Sequence, residues 1–581
     1  MNIKCGIESQ YYKYVHGCNN KFNIPFTDKQ ISLTCGKNDR AAVQLLIYSS
    51  EEMIVCSSGD NCFYERGAID TVRVEVTALG MDKNAIKVFL VGLVEDDDHQ
   101  LKSDILLDKS SIYVEPNKVQ PVWIEAEIGE DIKSGIYTPK IKVYGHRMFD
   151  DEVLLCTLSF EVKVLDLVLK KPQDYCFYLD LWQHNSNIAR KYDLDLWSDE
   201  HFDVMEKYVK SLANLGQKVI SIVVSEIPWS GQWSAYNRID PSNLFEYNIV
   251  GVKLNKSGEW EYDFKALSRY VNLCMKYGIK QEIEVFGLLN IWLMEDAGYG
   301  KVIKDYDDAI RIRFFDESSK TYKYIRQKDD LISYVKALES NFQENGWIDI
   351  VRIVADEPAD PGLFSKSLKT IRDAAPSFKY KAAINEVSFI ENNIKGIFDY
   401  VPILNCVCSE YEKLKEIKKK IKGKVSYYVC CIPLLPNSFI SSHLLETRLI
   451  PWLSWYLGLD GFLRWNYTVW PNDPLTKISY QYPSFHAGDT NFVYPGRNGE
   501  PMLTLRYKAL ERGIRDYEII NDFVAKTGEN DVVRQLLKKV FLWQDIKELL
   551  PESRKSREDL FLLDYEVYEE IVTKLLETIV K

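Results

Sequence analysis

The chain has 581 residues, too many for one compact core, so two or three domains are expected. Hydrophobic residues make up 46% and charged residues 27%, ordinary for a globular protein. The net charge of -12 argues against nucleic acid, whose phosphates need a surplus of Lys and Arg on one face. No segment approaches the ~20 consecutive apolar residues of a membrane span, so no membrane partner is expected. Met1 to Gln10 lacks the apolar stretch of a signal peptide. The cysteines are scattered, and Cys406-x-Cys408 and Cys430-Cys431 sit in apolar runs that suit buried thiols. A reduced, cytoplasmic protein is the expectation.

Residues 1–168 read as all-β. β-Branched or alternating runs recur at Val43 to Tyr48, Val72 to Leu79, Ala85 to Val94, Val122 to Ile128, Thr138 to Val143 and Leu155 to Val164, separated by turn residues. Short strands with regular turn signals predict a β-sandwich. Within it, Pro121 to Tyr144 reads as a hairpin: a strand, an acidic turn ending in Ser134-Gly135, then a second strand.

The pattern changes after Lys171-Pro172, and strands then alternate with helices through residues 169–500. Strand-like runs occur at Cys176 to Leu181, Val219 to Val224, Lys280 to Leu288, Ile348 to Val354, Tyr380 to Ile384, Tyr400 to Leu404, Val425 to Cys431 and Gly461 to Trp465. Between the first three lie helices, one carrying Val204, Tyr208, Val209 and Leu212 and stopping at Gly216, another ending at Gly278. Eight strands at this spacing predict a (β/α)8 TIM-type barrel. A doubly wound sheet ranks second, because no Gly-rich fingerprint follows the first strand. The polar, aromatic segment Tyr299 to Asp329 reads as an insertion after the third strand. Residues 501–581 read as C-terminal helices packed on the barrel, with Leu510, Ile514, Tyr517 and Phe523 on one stripe.

In such barrels the reacting groups sit at the C-terminal ends of the strands. The fourth strand ends in Asp356-Glu357-Pro358, two adjacent carboxylates and a proline that stops the strand. A helix cap at Asp356 and a solvated Glu357 would be the plain alternative. The other strand ends tip the balance towards chemistry: Asp180, Trp182 and His184 on the first, Glu226 on the second, Asn385 on the fifth, Tyr428 on the seventh, Trp465 and Asn466 on the eighth. These eight are candidate substrate contacts, Trp465 and Asn466 as a stacking platform beside a hydroxyl contact. The histidines show no metal-ligand spacing, so neither metal nor organic cofactor is expected.

A conventional retaining glycosidase needs a second carboxylate about 5–5.5 Å from the acid, across the sugar. The seventh strand, Val425 to Pro433, offers no acid there. Adjacent carboxylates on one strand end suit another arrangement, in which one protonates the leaving oxygen while the other orients a 2-acetamido group as internal nucleophile. That points to an N-acetylhexosamine substrate.

Three stretches are the most specific: Gly461 to Asn466, His486 to Gly496, and Leu505-Arg506 followed by Arg512 to Glu518. With the Val354-Ala-Asp356-Glu357-Pro358 strand end, they resemble glycoside hydrolase family 123 and its relatives of domain of unknown function 4091. The resemblance covers nearly the whole chain. It implies β-N-acetylgalactosaminidase activity, or hydrolysis of a closely related β-N-acetylhexosaminide, with Glu357 as general acid/base and Asp356 holding the acetamido nitrogen and stabilising the oxazolinium intermediate. A retaining, exo-acting, substrate-assisted β-N-acetylgalactosaminidase is the expectation. Gly488-Asp489 and Arg512 to Glu518 read as structural. The expected partner is a glycan or small oligosaccharide, with a homo-oligomer allowed. Two rival readings stay open: a hydrolase of another β-glycoside, with Glu386 or Glu226 as second carboxylate, and a glycan-binding protein without activity.

Overall fold

The computed structural model describes residues 2–16, 30–57, 69–148, 150–228, 245–290, 301–392, 394–470, 473–475 and 485–581. The first two residues of the segment 299–329 therefore lie outside the described residues.

The N-terminal region is rich in sheet, as its alternating sequence requires. One five-stranded sheet is centred on Asp39–Ser49 and Val119–Ile128, and a second on Lys140–His146 and Asp70–Thr77. A three-stranded sheet contains Ser32–Lys37 and Glu161–Val168. Their apolar rows meet in one core: Val43, Leu45, Val122 and Ile124 from the first, Val72, Val74, Ile141 and Val143 from the second, Leu33, Cys35, Val162 and Val164 from the third.

The hairpin expected at Pro121 to Tyr144 does not form. Val119–Ile128 pairs with Asp39–Ser49 and Ile86–Glu95, whereas Lys140–His146 pairs with Asp70–Thr77 and Val153–Ser159. Each strand puts one apolar row into the shared core. That period-two pattern is satisfied whether two strands pair edge to edge or face each other from opposite layers, so the acidic turn proves to be an arch between sheets.

Eight parallel strands follow: β1 (Tyr178–Leu181), β2 (Val219–Val223), β3 (Glu282–Phe286), β4 (Val351–Asp356), β5 (Lys379–Ile384), β6 (Asp399–Pro402), β7 (Tyr427–Tyr428) and β8 (Gly461–Arg464). They form a five-stranded sheet in the order β2-β3-β4-β5-β6 and a three-stranded sheet in the order β1-β8-β7. Isolated parallel bridges link Tyr400 to Val425, Ile403 to Tyr428 and Leu179 to Gln217.

Register fixes which side chains share a face. Glu282 lies beside Val219, Glu284 beside Arg352, Ala383 beside Asp356, Lys381 beside Asp399, and Leu463 beside both Asp180 and Tyr428. Because strands alternate with period two, Asp180, Ser221, Glu282, Glu284, Arg352, Asp356, Lys381, Asp399 and Tyr428 all belong to one face. The ammonium of Lys381 on the larger sheet reaches Asp180 on the smaller at 2.6 Å, so these faces look at each other. Helices cover the opposite face. Asp199–Leu215, for example, is capped by Ser198, whose side chain accepts from the His201 N–H, and ends at Gly216 with φ 82°.

The C-terminal helices lie between the two regions rather than on the strand-helix region alone. Helix Leu505–Thr527 approaches helix Leu444–Leu457 so closely that a Cβ on Gly513 would lie 2.4 Å from the Arg448 carbonyl oxygen. Its polar side engages the N-terminal sheets. Arg506 forks onto Asp104 at 2.9 and 2.8 Å, Asp39 accepts from Arg515 at 2.7 Å and Arg512 at 3.3 Å, and Lys508 meets Glu125 at 2.9 Å. Glu518 accepts from the backbone N–H groups of Cys176 and Phe177, at the entry to β1. Helix Tyr565–Val580 supports Arg448 through Glu569 at 2.6 Å. Among the described residues no helix is long and apolar enough to cross a membrane.

Candidate active site

Strand β4 owes its burial to Val351, Ile353, Val354 and Ala355 and delivers Asp356 and Glu357 to its C-terminal end. The backbone there is tied on both sides: Asp356 N–H donates to the Asn290 carbonyl and Glu357 N–H to the Ala383 carbonyl, each at 3.1 Å. Glu357 adopts φ 50°, the left-handed region that residues with a Cβ avoid. Such a conformation persists where surrounding contacts over-determine it, and it clusters at sites of chemistry.

Two side chains hold the Glu357 carboxyl. Tyr428 at the end of β7 donates its hydroxyl to Oε1 at 2.5 Å, and Asn385 just beyond β5 donates through Nδ2 to Oε2 at 3.1 Å. Burial pushes the Glu357 carboxyl above the ordinary glutamate range, the Tyr428 hydrogen bond pulls it down, and the charges of Asp489 and Glu386 push it up again. Burial disfavours the charged form because water is lost around it. Asp356 is buried beside it, on the face that the strands share.

The other candidates fall into two groups. Trp182, Asn385, Tyr428 and Trp465 stand at strand ends with Glu357. The Trp182 ring meets Phe286 edge-on at 4.8 Å, and neither its indole N–H nor Asn385 Oδ1 has a hydrogen-bond partner among the described residues. Buried polar atoms normally are paired, so both are available to a bound molecule. Trp465 stacks obliquely near Phe485 at 5.1 Å.

Asp180, Glu226, His184 and Asn466 are engaged by the protein. Asp180 is 1% exposed and pairs with Lys381. Glu226 accepts from Tyr324 at 2.6 Å and pairs with Arg313 at 2.9 Å, both on the hairpin formed by Arg313–Asp316 and Thr321–Tyr324. The segment read as an insertion is thereby anchored to the end of β2. His184 Nε2 donates to the Trp465 carbonyl at 2.7 Å, and burial pushes its ring down to about 4, so it is neutral at neutral pH. Asn466 Nδ2 donates to the Asp489 carbonyl at 2.5 Å and fixes the loop after β8.

Sequence reasoning missed several neighbours. Asp489, read as structural, is wholly buried, pairs with Arg464 at 2.7 Å, and is pushed up to about 6 by burial, while the Arg464 charge holds it down. Arg464 also donates to the Val429 carbonyl and to Asn437 Oδ1, locking the segment after β7. Beneath the site Lys381 contacts Asp180, Glu282 and Glu284 at 2.6, 2.8 and 2.7 Å. The three acids have the donor set of a small cation site, with oxygens within 4.8 Å of one another, and the ammonium of Lys381 supplies their counter-charge. The readable signal was Glu282-x-Glu284 in an apolar strand, with Lys381 at the same period on β5, two strands away.

Comparison with known proteins gives the arrangement its context. Residues 182–522 match the profile described as glycoside hydrolase 123, catalytic domain, and residues 12–145 match that of the glycoside hydrolase 123 N-terminal domain. A family 123 glycoside hydrolase from Clostridium perfringens, whose structure was determined to study glycolipid glycan hydrolysis, is similar along 100% of this chain and 97% of its own, with a TM-score of 0.73 and 19% identity. That likeness establishes a shared fold. A β-D-glucuronidase of Dictyoglomus thermophilum aligns over 80% of this chain and 68% of its own, at 11% identity and a TM-score of 0.29, too loosely to carry an argument. No curated protein matches the sequence. The catalytic-domain match alone spans more than half of the chain, and the chain therefore belongs to glycoside hydrolase family 123, enzymes that cleave glycosidic bonds.

Proposed function

We propose that this glycosidase is a retaining exo-β-N-acetylgalactosaminidase that uses the substrate's own 2-acetamido group as nucleophile. The observation that carries the reading is the pairing of a buried Asp356 with a half-buried Glu357 at one strand end, while the strand end that holds Glu357 from β7 supplies Tyr428 and no acid. Glu357, whose carboxyl is raised above the ordinary glutamate range by the loss of water around it, gives its proton to the glycosidic oxygen as the bond to C1 breaks. The acetamido oxygen closes on C1, and Asp356 accepts a hydrogen bond from the acetamido N–H and balances the positive charge of the oxazolinium ion. Glu357, now ionised, takes a proton from water as water opens the ring, so the β configuration is kept. Trp182, Asn385 and Trp465 hold the sugar. The glycolipid glycan cleaved by the Clostridium perfringens enzyme is one substrate class that fits.

The fold behind this reading is a (β/α)8 barrel preceded by a β-sandwich, divided at 1–168, 169–500 and 501–581. It is supported by the bridges that join the edges of the two parallel sheets at 400/425, 403/428 and 179/217. A cytoplasmic setting belongs to the same reading: the ten described cysteines are unbridged, as a reducing compartment favours.

A panel of nitrophenyl β-glycosides tests the substrate. Turnover should be confined to N-acetylhexosaminides, with the galacto form fastest. Asp356→Asn should slow these by about 10²-fold or more, the scale of removing one transition-state contact. Equal turnover of glycosides lacking the acetamido group by wild type would sink the substrate-assisted route. The pH profile offers an independent check. Because Tyr428 lowers the Glu357 pKa, Tyr428→Phe should move the alkaline limb of kcat/KM to higher pH. A limb that moves down, or stays, removes Tyr428 from that role.

A second reading is favoured by Glu386, an exposed acid whose charge already acts on Glu357. As the nucleophile of an ordinary retaining glycosidase it would be trapped by a 2-deoxy-2-fluoro glycoside as a covalent adduct. Absence of the adduct under conditions of turnover excludes that route.

A further inference from the structure

Far from Glu357, the structure holds a groove of about 810 Å³ between helix Tyr411–Lys420, the end of helix Leu444–Leu457 and the segment around Trp543, within the ~300–1,000 Å³ usual for ligand sites. Its charge departs from that of the chain. Between Tyr411 and Lys424 there are seven lysines against two glutamates, in a protein of net charge -12. Lys415, Lys418, Lys419 and Arg534 line the groove.

Two of these cations are held in place. Lys418 donates to the Gly458 carbonyl at 2.7 Å and pairs with Asp460 at 3.0 Å. Arg534 donates to the Tyr456 carbonyl at 3.1 Å and lies over the rings of Trp455 and Tyr456 at 5.7 and 5.4 Å. Lys415 shares Glu412, whereas Lys419 is exposed and makes no ion pair among the described residues. The walls are aromatic. Trp543 crosses Tyr456 edge-on at 5.4 Å, is nine-tenths buried, and its indole N–H has no hydrogen-bond partner among the described residues. Cations beside aromatic rings, some held and some free to reach outwards, suit a ligand that carries negative charge on sugar rings.

We propose that this groove is a second carbohydrate site, selective for acidic oligosaccharides, whose carboxylate or sulfate groups meet Lys415, Lys419 and Arg534 while a ring packs at Trp543. Its place in the fold favours a soluble glycan over an anionic bilayer. Helix Tyr411–Lys420 runs from the end of β6 back to the start of β7, and Gly458 precedes the start of β8. The lysine-rich end therefore lies on the side opposite Glu357, and a membrane docked there would face away from the active site.

The test is calorimetric titration of the whole protein with tetragalacturonate and sulfated cellotetraose, neither of which contains an N-acetylhexosamine, against their carboxyl-reduced and unsulfated forms. At least one acidic probe should bind tenfold or more tightly than its neutral form, and added salt should weaken it. Lys415→Ala/Lys419→Ala, which alters exposed side chains, and the single Lys419→Glu should each weaken that binding tenfold or more, with nitrophenyl glycoside hydrolysis unchanged. The site is refuted if neither acidic probe binds, if the neutral forms bind as well, or if both variants bind like wild type. Binding to phosphatidylserine vesicles without binding to either oligosaccharide refutes it too, in favour of a membrane contact.

Discussion

Glu357→Gln is expected to lower kcat on glycosides with sugar or alkyl leaving groups by ~10³-fold, since general acid catalysis by a positioned side chain contributes 10²–10⁴-fold. That is ~4 kcal/mol of transition-state stabilisation. The fold should survive. Gln has the same shape, its oxygen keeps one of the two hydrogen bonds from Tyr428 and Asn385, and Asn385 Oδ1, without a partner among the described residues, can accept from the new amide. The leaving group supplies the control. A dinitrophenolate departs without a proton, so its release should fall far less in the first step than that of an alkoxide. The alkaline limb set by Glu357 should also vanish in the variant. Loss of equal size on both kinds of leaving group, with a normal melting curve, would assign Glu357 a role other than proton donor.

Much of this site was legible in sequence because strand ends announce themselves. An apolar run stopped by Asp356-Glu357-Pro358 places two carboxylates where an alternating strand-helix fold puts its chemistry, and the eight runs read as strands all overlap strands in the structure. What stayed hidden depends on contacts between distant segments. Nothing in the neighbourhood of Asp180 says that its partner is Lys381, 201 residues away. Glu226 likewise finds Arg313 and Tyr324 on a hairpin that periodicity alone reads as polar loop. The hairpin expected at Pro121 to Tyr144 does not form for a related reason, since alternation specifies a face but not which strand lies alongside. The motif from Arg512 to Glu518 read as structural, and its partners prove to include Asp39 in the N-terminal region, so it joins two regions as well as bracing one.

Lys381→Met is the substitution expected to cost most stability. Lys381 is 3% exposed, and Asp180, Glu282 and Glu284 around it are 1%, 2% and 0% exposed in their side chains. Even with the ammonium present, burial holds Asp180 and Glu284 above the ordinary carboxylate range, and the surrounding acids hold Lys381 well above the ordinary lysine range. Deleting one partner of a buried ion pair costs about 3–5 kcal/mol, because the remaining charge is stranded out of water. Against a total of 5–15 kcal/mol for a domain, that is enough to lower expression. The sign with pH is fixed by the direction of those shifts. Acids whose folded pKa is raised bind more protons folded than unfolded, so their stabilising effect is complete below the unfolded value near 4 and is lost as pH rises through the folded value. Without Lys381 the folded values rise further, so the variant should lie closest to wild type in urea unfolding near pH 5 and furthest from it at pH 8. Adding Glu284→Gln should restore part of the loss at pH 8 and leave pH 5 little changed. A deficit independent of pH, unrelieved by the second substitution, would mean that Lys381 acts through packing of its alkyl stem. The distinction bears on catalysis because Asn385, which holds Glu357, lies four residues beyond Lys381, and Trp182 two beyond Asp180. If the cluster's charge balance sets the height of those strand ends, Lys381→Met should raise KM for small glycosides even at pH 5, where the protein is folded.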